Sequence, residues 1–181
     1  RLKRAITSIG NGAAKVAVVA RRRNGYHITH LEGPTYPLVN GESIGIITDY
    51  DVDGGASAAL LLTWLRDLGH SATLYIPDRI DEGYGPNVAA MRALGQVHDV
   101  IFCVDCGTLS HEPIASAACD VVVLDHHLGA ETLPAALAVV NPNRQDETGE
   151  LAHLCAAAVV FLVLVEANRR LRADGQTGPD L

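Results

Sequence analysis

No apolar run in these 181 residues is long enough to cross a bilayer. The longest, Leu154 to Val165, falls short of the roughly 20 residues a spanning helix needs and reads as a buried helix. No signal-peptide core follows the basic start Arg1-Leu2-Lys3-Arg4. Four cysteines are too few for a disulfide framework in a chain of this length, so the expected location is a reducing cytoplasm with no membrane partner. Cys103 and Cys106 have C-x-x-C spacing, but one such pair is weak grounds for zinc or redox chemistry, and Cys103 is expected to face the core from a strand. Repeats and low-complexity tracts are absent. Positive charge is scarce: 14 Lys and Arg against 21 Asp and Glu give a formal charge of -7, which at first argues against a nucleic-acid partner. Several of those acids are candidate metal ligands, however, and Arg1, Lys3, Arg4, Lys15, Arg21, Arg22 and Arg23 crowd the first part of the chain. Net charge therefore does not decide the partner.

What is present is a soluble globular composition, 48% hydrophobic and 19% charged, in a chain long enough for one domain or one domain with an appendage. The chain is organised around Asp49-Tyr50-Asp51-Val52-Asp53-Gly54-Gly55, set between the apolar run Ile44–Thr48 and a helical pattern beginning near Ala56. Alternation in an extended loop would point Asp49, Asp51 and Asp53 the same way. Three anions held that close raise one another's pKa values unless a cation sits among them, and hard oxygen donors suit Mg²⁺, Mn²⁺ or Ca²⁺. Asp-x-Asp-x-Asp-Gly also opens a calcium EF-hand loop, but the twelfth position here is Leu60 rather than Glu, and a strand rather than a helix precedes it.

Residues 1–10 have the pattern of a short amphipathic helix. Lys15–Ala20 and Tyr26–Leu31 read as two strands joined by an Asn24-Gly25 turn. From Ser43 onward strand and helix alternate. The helix after the acidic loop carries Ala58, Leu61, Leu62, Leu65 and Leu68 on one face and stops at Gly69. Strands follow at Ala72–Ile76, Val100–Val104, Val121–Leu124 and Leu137–Val140, and helices from Pro86 to Leu94 (stopped by Gly95), around Glu112–Ala118, and from Leu151 to Arg172. This alternation predicts an α/β fold, an open, mostly parallel sheet with helices on both faces. Ligands bind such sheets beyond the carboxyl ends of the strands. Three strands here run into polar clusters at that edge: Asp49/Asp51/Asp53, Asp105, and Asp125/His126/His127. Carboxylates with imidazole suit Mn²⁺ or Mg²⁺ better than structural zinc, and this many anionic ligands suit two ions about 3.5–4 Å apart. The corresponding reaction is hydrolysis of a phosphoester or phosphoanhydride. His126 and His127, as neighbours, are expected to point apart, one to ligate and one to face substrate. His70, His98, His111 and His153 are expected to be structural.

The motifs DYDVDG, VDCG and LDHH, in this order, resemble motifs I to III of the DHH phosphoesterase superfamily. The form of motif I, the stretch IPDRIDEGYG after it and VNPNR beyond the histidines resemble the RecJ branch of single-strand-specific 5′-to-3′ exonucleases. The resemblance covers roughly residues 41–181. It implies metal-dependent phosphodiester hydrolysis on single-stranded DNA, in repair and recombination, with helicase or single-strand-binding partners. It also implies that Asp51 binds one ion, Asp53 the other, Asp105 bridges them, His126 is a further ligand and His127 contacts the scissile phosphate. Asp49 and Asp125 are then close supporting groups, Asp125 orienting an imidazole.

The chain departs from that pattern in three places: Thr48 stands where relatives usually have Gly, Ala158 stands at another usual Gly, and residues 11–40 exceed the expected lead-in. The expected organisation is a lead-in over 1–42, a DHH domain over 43–172 and a polar linker over 173–181. The resemblance also implies a fourth motif with another metal-binding Asp and a second, strand-gripping domain, neither of which has a candidate after Leu151. These 181 residues are therefore expected to bind one ion better than the other and to cleave single strands poorly or not at all. Two rival readings remain. A DHH hydrolase of short oligonucleotides, cyclic dinucleotides or pyrophosphate would usually carry a His in motif I, where Ile47 stands here. A non-catalytic DNA- or partner-binding module would have no need to hold these anions together.

Overall fold

Short runs of Val, Ile and Cys become the strands, and the Ala- and Leu-rich stretches between them become helices. The computed structural model describes residues 7–10, 13–16, 43–147, 150–173 and 175–181. In chain order the elements are β1 (Thr7–Gly10), β2 (Ala13–Val16), β3 (Ile44–Thr48), α1 (Val52–Asp67), β4 (Ala72–Tyr75), α2 (Val88–Val97), β5 (Val100–Val104), α3 (His111–Ser116), β6 (Asp120–Leu124), β7 (Ala138–Val140) and α4 (Ala156–Ala173). β1 and β2 form an antiparallel pair. The other five strands form one sheet in the order β4-β3-β5-β6-β7, and every neighbouring pair is parallel.

That order has a consequence for function. From β3 the chain crosses outward to β4, then returns to place β5 on the opposite side of β3, so the winding reverses between β3 and β5. Crevices in open parallel sheets form at such a reversal, outside the carboxyl ends of the strands. Asp49 follows β3 and Asp105 follows β5, so both stand at that crevice, with Asp125 one strand further along.

Strand periodicity divides the core in two. Ile44, Ile46, Phe102, Val104, Val122, Leu124 and Val140 pack on one face against α1 and α4. Ile47, Ile101, Cys103, Val121, Val123 and Val139 pack on the other against Met91 and Leu94 of α2 and Ile114 of α3. A strand covered on both faces reads as a continuous apolar run, as these do. Inside the first layer the Trp64 indole N–H donates to Asn168 Oδ1 at 2.8 Å, tying α1 to α4.

Several boundaries differ from the sequence expectation. Thr7–Gly10 is a strand rather than part of a helix; Thr7 and Ile9 are β-branched, and Asn11-Gly12 in the sequence is a two-residue hairpin signal. The second strand begins at Ala13, while Asn24-Gly25 and Tyr26–Leu31 lie outside the described residues. Helix α1 starts at Val52, because Asp51 caps it. Helix α2 starts at Val88, capped by Asn87, and runs through Gly95. There a Cβ would lie 2.8 Å from the Ala118 amide nitrogen, so Gly95 serves close packing rather than termination. Helix α4 starts at Ala156, not Leu151. The tail after it folds back: the Asn168 amide donates to the Pro179 carbonyl at 2.6 Å, and the Gln176 N–H to Leu171 at 2.8 Å. No described helix is long and apolar enough to cross a membrane.

Candidate metal centre

The acidic stretch spans a strand-to-helix turn, and its three carboxylates part company there. Asp49 is buried just past β3, and its Oδ1 accepts the Asp51 N–H at 2.8 Å. Burial raises its pKa. Asp51 is the N-cap of α1: its Oδ1 accepts from the amides of Asp53 (2.8 Å) and Gly54 (3.0 Å). The Gly54 amide holds its pKa below the ordinary value. Asp53 lies in the first helical turn and faces another helix, accepting the Ala156 N–H at 2.7 Å and the Ala157 N–H at 2.9 Å. Two free amides and the positive end of α4 thus fix Asp53 from a distant part of the chain. Gly54 is what lets the turn close, since a Cβ there would lie 2.6 Å from Asp49 Oδ1 and 2.7 Å from Thr48 Oγ1.

Asp105 is the centre of the arrangement. It is buried and has φ +58°, a left-handed conformation that costs an L-residue about 1–2 kcal/mol and that Asp tolerates better than most. Its peptide is held on both sides: the N–H donates to Leu124 O (2.9 Å), and its carbonyl accepts the Tyr84 hydroxyl (2.8 Å). Its carboxylate is less well supported, for Oδ1 is buried without a hydrogen-bond partner. Burial, then the charges of Asp53, Asp49 and Asp51, push its pKa up to about 8. A buried, unpaired carboxylate among other carboxylates either takes a proton or needs a cation.

The histidines complete the site. His126 Nδ1 donates to the Leu154 carbonyl at 3.1 Å, which leaves Nε2 facing Asp105 Oδ1 at 3.3 Å and Asp53 Oδ2 at 3.7 Å. Metal-binding imidazoles are oriented in this way, one nitrogen on a carbonyl and the other free. His127 Nδ1 is 2.8 Å from Asp125 Oδ1, and this hydrogen bond raises the imidazole pKa. Burial would raise Asp125, but hydrogen bonds from His127 and Thr108 outweigh it and hold it at about 2. The rings do not point apart. They meet edge to face with centroids 4.7 Å apart, because Asp125 Oδ1 also accepts the N–H groups of both residues and turns the chain at the end of β6.

Two donor groups result among the described residues, Asp49/Asp51/Asp105 and Asp105/His126/His127, each with ligand atoms within 4.8 Å of one another. They share Asp105. Asp53 joins neither but borders the second through His126, and Asp125 is taken up by His127 and the Thr108 amide. The donor chemistry, oxygen with imidazole around an orphaned carboxylate, fits a hard divalent cation. His70, His98, His111 and His153 are in neither group, and Cys103 is buried in the core as expected. Sequence reasoning gave no role to Tyr84, whose hydroxyl joins Asp105 to His127, or to Asn141 and Asn143, which back the two histidines. All three belong to stretches quoted only for their resemblance to relatives.

A parallel sheet with a carboxylate–histidine centre at its winding reversal is a class of site suited to a hard divalent cation. Residues 43–178 match the profile of the DHH family, N-terminal domain, so the chain belongs to the DHH family. It is similar to the single-stranded-DNA-specific exonuclease RecJ of Dickeya dadantii, 38% identical over 144 residues, which is 76% of this chain and 25% of that protein. The Escherichia coli RecJ is 36% identical over 143 residues, 75% of this chain and 24% of the relative. The chain thus spans about a quarter of the length of these relatives. Among solved structures it resembles an exonuclease RecJ bound to manganese (TM-score 0.64, 30% identity, 77% of this chain and 35% of the other). It also resembles RecJ in complex with Mn²⁺ from Thermus thermophilus (TM-score 0.58, 26% identity, 77% and 19%).

Proposed function

We propose that this chain carries the catalytic site of a metal-dependent exonuclease of the RecJ type, which hydrolyses phosphodiester bonds of single-stranded DNA from a 5′ end. The observation that carries the reading is Asp105: a buried carboxylate whose Oδ1 has no hydrogen-bond partner, common to two donor groups. The residues fit Mn²⁺ or Mg²⁺. Asp51, with Asp49 behind it, would hold one ion and Asp53 with His126 the other, Asp105 bridging. Ions bound there would lower the pKa of the attacking water and neutralise charge on the phosphoryl oxygens.

The rest of the work falls to the chain's own groups. His126 presents Nε2 because Leu154 takes its other nitrogen. Asp125 favours the cationic form of His127, whose half-exposed ring would hold a non-bridging oxygen of the scissile phosphate and stabilise the charge that builds there. Asp53 ties the site to the start of α4, so that helix and metal ligands move together. At the rim, the Arg79 guanidinium lies 5.3 Å from the centre of the exposed Tyr50 ring, a pairing of aromatic face and positive charge suited to an unpaired strand. The proposal extends to a place in DNA repair and recombination, beside a helicase or a single-strand-binding protein in the cytoplasm, a reading that the similarity to the RecJ exonucleases supports.

The test compares substrates with Mn²⁺ present: a long 5′-phosphorylated single strand, dinucleotides, cyclic dinucleotides and pyrophosphate. The long strand is expected to be cleaved fastest, and a chelator to stop the reaction. Faster turnover of a small substrate would move the reading to the short-oligonucleotide hydrolases. Mn²⁺ binding without cleavage of any of them would leave a metal-binding module.

A further inference from the structure

The segment Asn141-Pro142-Asn143 follows β7 and lies alongside the turn that carries His126 and His127. Asn141 is buried, and its amide is fully used: Nδ2 donates to the His127 carbonyl and to Thr108 Oγ1, both at 2.8 Å, while Oδ1 accepts the Asn143 N–H at 2.7 Å. Asn143 Nδ2 donates to the His126 carbonyl at 2.5 Å and to the Ala152 carbonyl at 3.1 Å. Each histidine peptide therefore rests on one asparagine amide.

The second contact of each amide gives the arrangement its meaning. Asn143 joins His126 to Ala152, and two residues on, the Leu154 carbonyl takes the Nδ1 proton of the same His126. Asn141 joins His127 to Thr108, whose N–H donates at 3.0 Å to Asp125, the carboxylate that holds Nδ1 of the same His127. Two closed circuits result, each running from the main-chain carbonyl of one histidine, through one asparagine, to the group that orients that histidine's ring. An amide with two N–H donors bridges two carbonyls, or a carbonyl and a hydroxyl, in this way, and an ionised Asp would set oxygen against each carbonyl oxygen.

We infer that Asn141 and Asn143 are positioning residues, Asn143 for His126 and Asn141 for His127, each fixing where its imidazole presents Nε2. The inference rests on the proposed function only for the consequence in turnover; the geometry it concerns is a property of the protein alone. Neighbours that orient metal-binding histidines typically change metal affinity or activity 10–100-fold when removed. Loss of the Asn143 amide therefore weakens Mn²⁺ binding by about that factor. Loss of the Asn141 amide leaves Mn²⁺ affinity within about threefold of the unaltered chain and lowers turnover instead.

The experiment uses ¹⁵N-labelled chain, unaltered and as Asn141→Ala and Asn143→Ala, with long-range ¹H–¹⁵N spectra that report which ring nitrogen of each histidine carries the proton. In Asn143→Ala the His126 ring signals should lose their Nδ1–H signature while those of His127 stay; in Asn141→Ala the reverse should hold. Mn²⁺ titrations and single-strand cleavage are measured on the same samples. Equal disturbance of both rings by either variant, or of neither, would overturn the inference and leave the asparagines as general supports of the loop. If the alanine variants do not fold, Asn141→Asp and Asn143→Asp keep the shape and lose the donors. In the unaltered chain, all four Nδ2 protons should exchange slowly with solvent, and fast exchange would also overturn the inference. Absence of Mn²⁺ binding and of cleavage in the unaltered chain would refute the proposed function instead, with the ring spectra still deciding the role of the asparagines.

Discussion

Replacing Asp105 with Asn should make the metal-free protein more stable. The Asp105 carboxylate is buried with Oδ1 lacking a hydrogen-bond partner, and its pKa is about 8 in the folded chain against an ordinary 3.8. At pH 7 it is ionised in the unfolded chain and protonated in the folded one, so folding must take up a proton. A group whose folded pKa is raised in this way loses stability as pH climbs from its ordinary value toward its folded value. Between 3.8 and pH 7 the cost is about 4 kcal/mol, from about 1.4 kcal/mol per pH unit, and structural relaxation would bring it to about 2–4 kcal/mol. Asn matches Asp in shape, tolerates the φ of +58° and carries no charge. In chelator at pH 7, Asp105→Asn should melt roughly 5–15 °C above the unaltered chain. The unaltered chain should lose melting temperature from pH 6 to pH 8, and the variant should lose less, its remaining slope coming from His127, whose pKa is also raised. With Mn²⁺ the gap should narrow, since saturation at 100 times the dissociation constant gives about 2.7 kcal/mol to the form that binds and little to the variant. A metal-free Asp105→Asn protein that melts below the unaltered chain would refute the argument.

The two imidazoles should separate by phenotype: His126→Ala weakens Mn²⁺ binding about 10–100-fold, whereas His127→Ala keeps the metal and loses turnover, and swapped results would reverse their roles. Gly54→Ala should destabilise by about 2 kcal/mol or more, because its Cβ would fall 2.6 Å from Asp49 Oδ1; Gly55→Ala, with nothing within 4 Å, should raise stability by up to about 1 kcal/mol in the same melts. Asp125, held at about 2, contributes stability above pH 3.8 that is lost as pH falls toward 2. In acid titrations Asp125→Asn should remove that component, about 2 kcal/mol.

The sheet was legible because each strand is short and apolar. Val100–Val104 coincides with β5, and the convergence of acids at the strand ends follows from a parallel sheet alone. What was not legible depends on contacts between distant parts of the chain. Leu151 and Leu154 extend the apolar pattern of α4, yet the helix starts at Ala156, where Asp53, more than a hundred positions earlier, takes its first amides. Gly95 reads locally as a stop, but the backbone of Ala117 and Ala118, just after α3, comes too close there for a side chain. Asp49, Asp51 and Asp53 alternate in sequence, but the Asp51 cap begins the helix between them and turns Asp53 toward His126. The left-handed backbone of Asp105 and the two asparagine amides behind the histidines left no local signal in the sequence.

If Asp105 is shared by bound divalent ions, their binding must displace its proton. Isothermal titration with Mn²⁺ at pH 7, repeated in two buffers of different ionisation enthalpy, tests it most directly. Asp105 carries a proton before the metal arrives, so binding should release close to one proton, and affinity should rise about tenfold per pH unit up to about pH 8. Mn²⁺ binding that releases no proton, or that persists unchanged in Asp105→Asn, would contradict it.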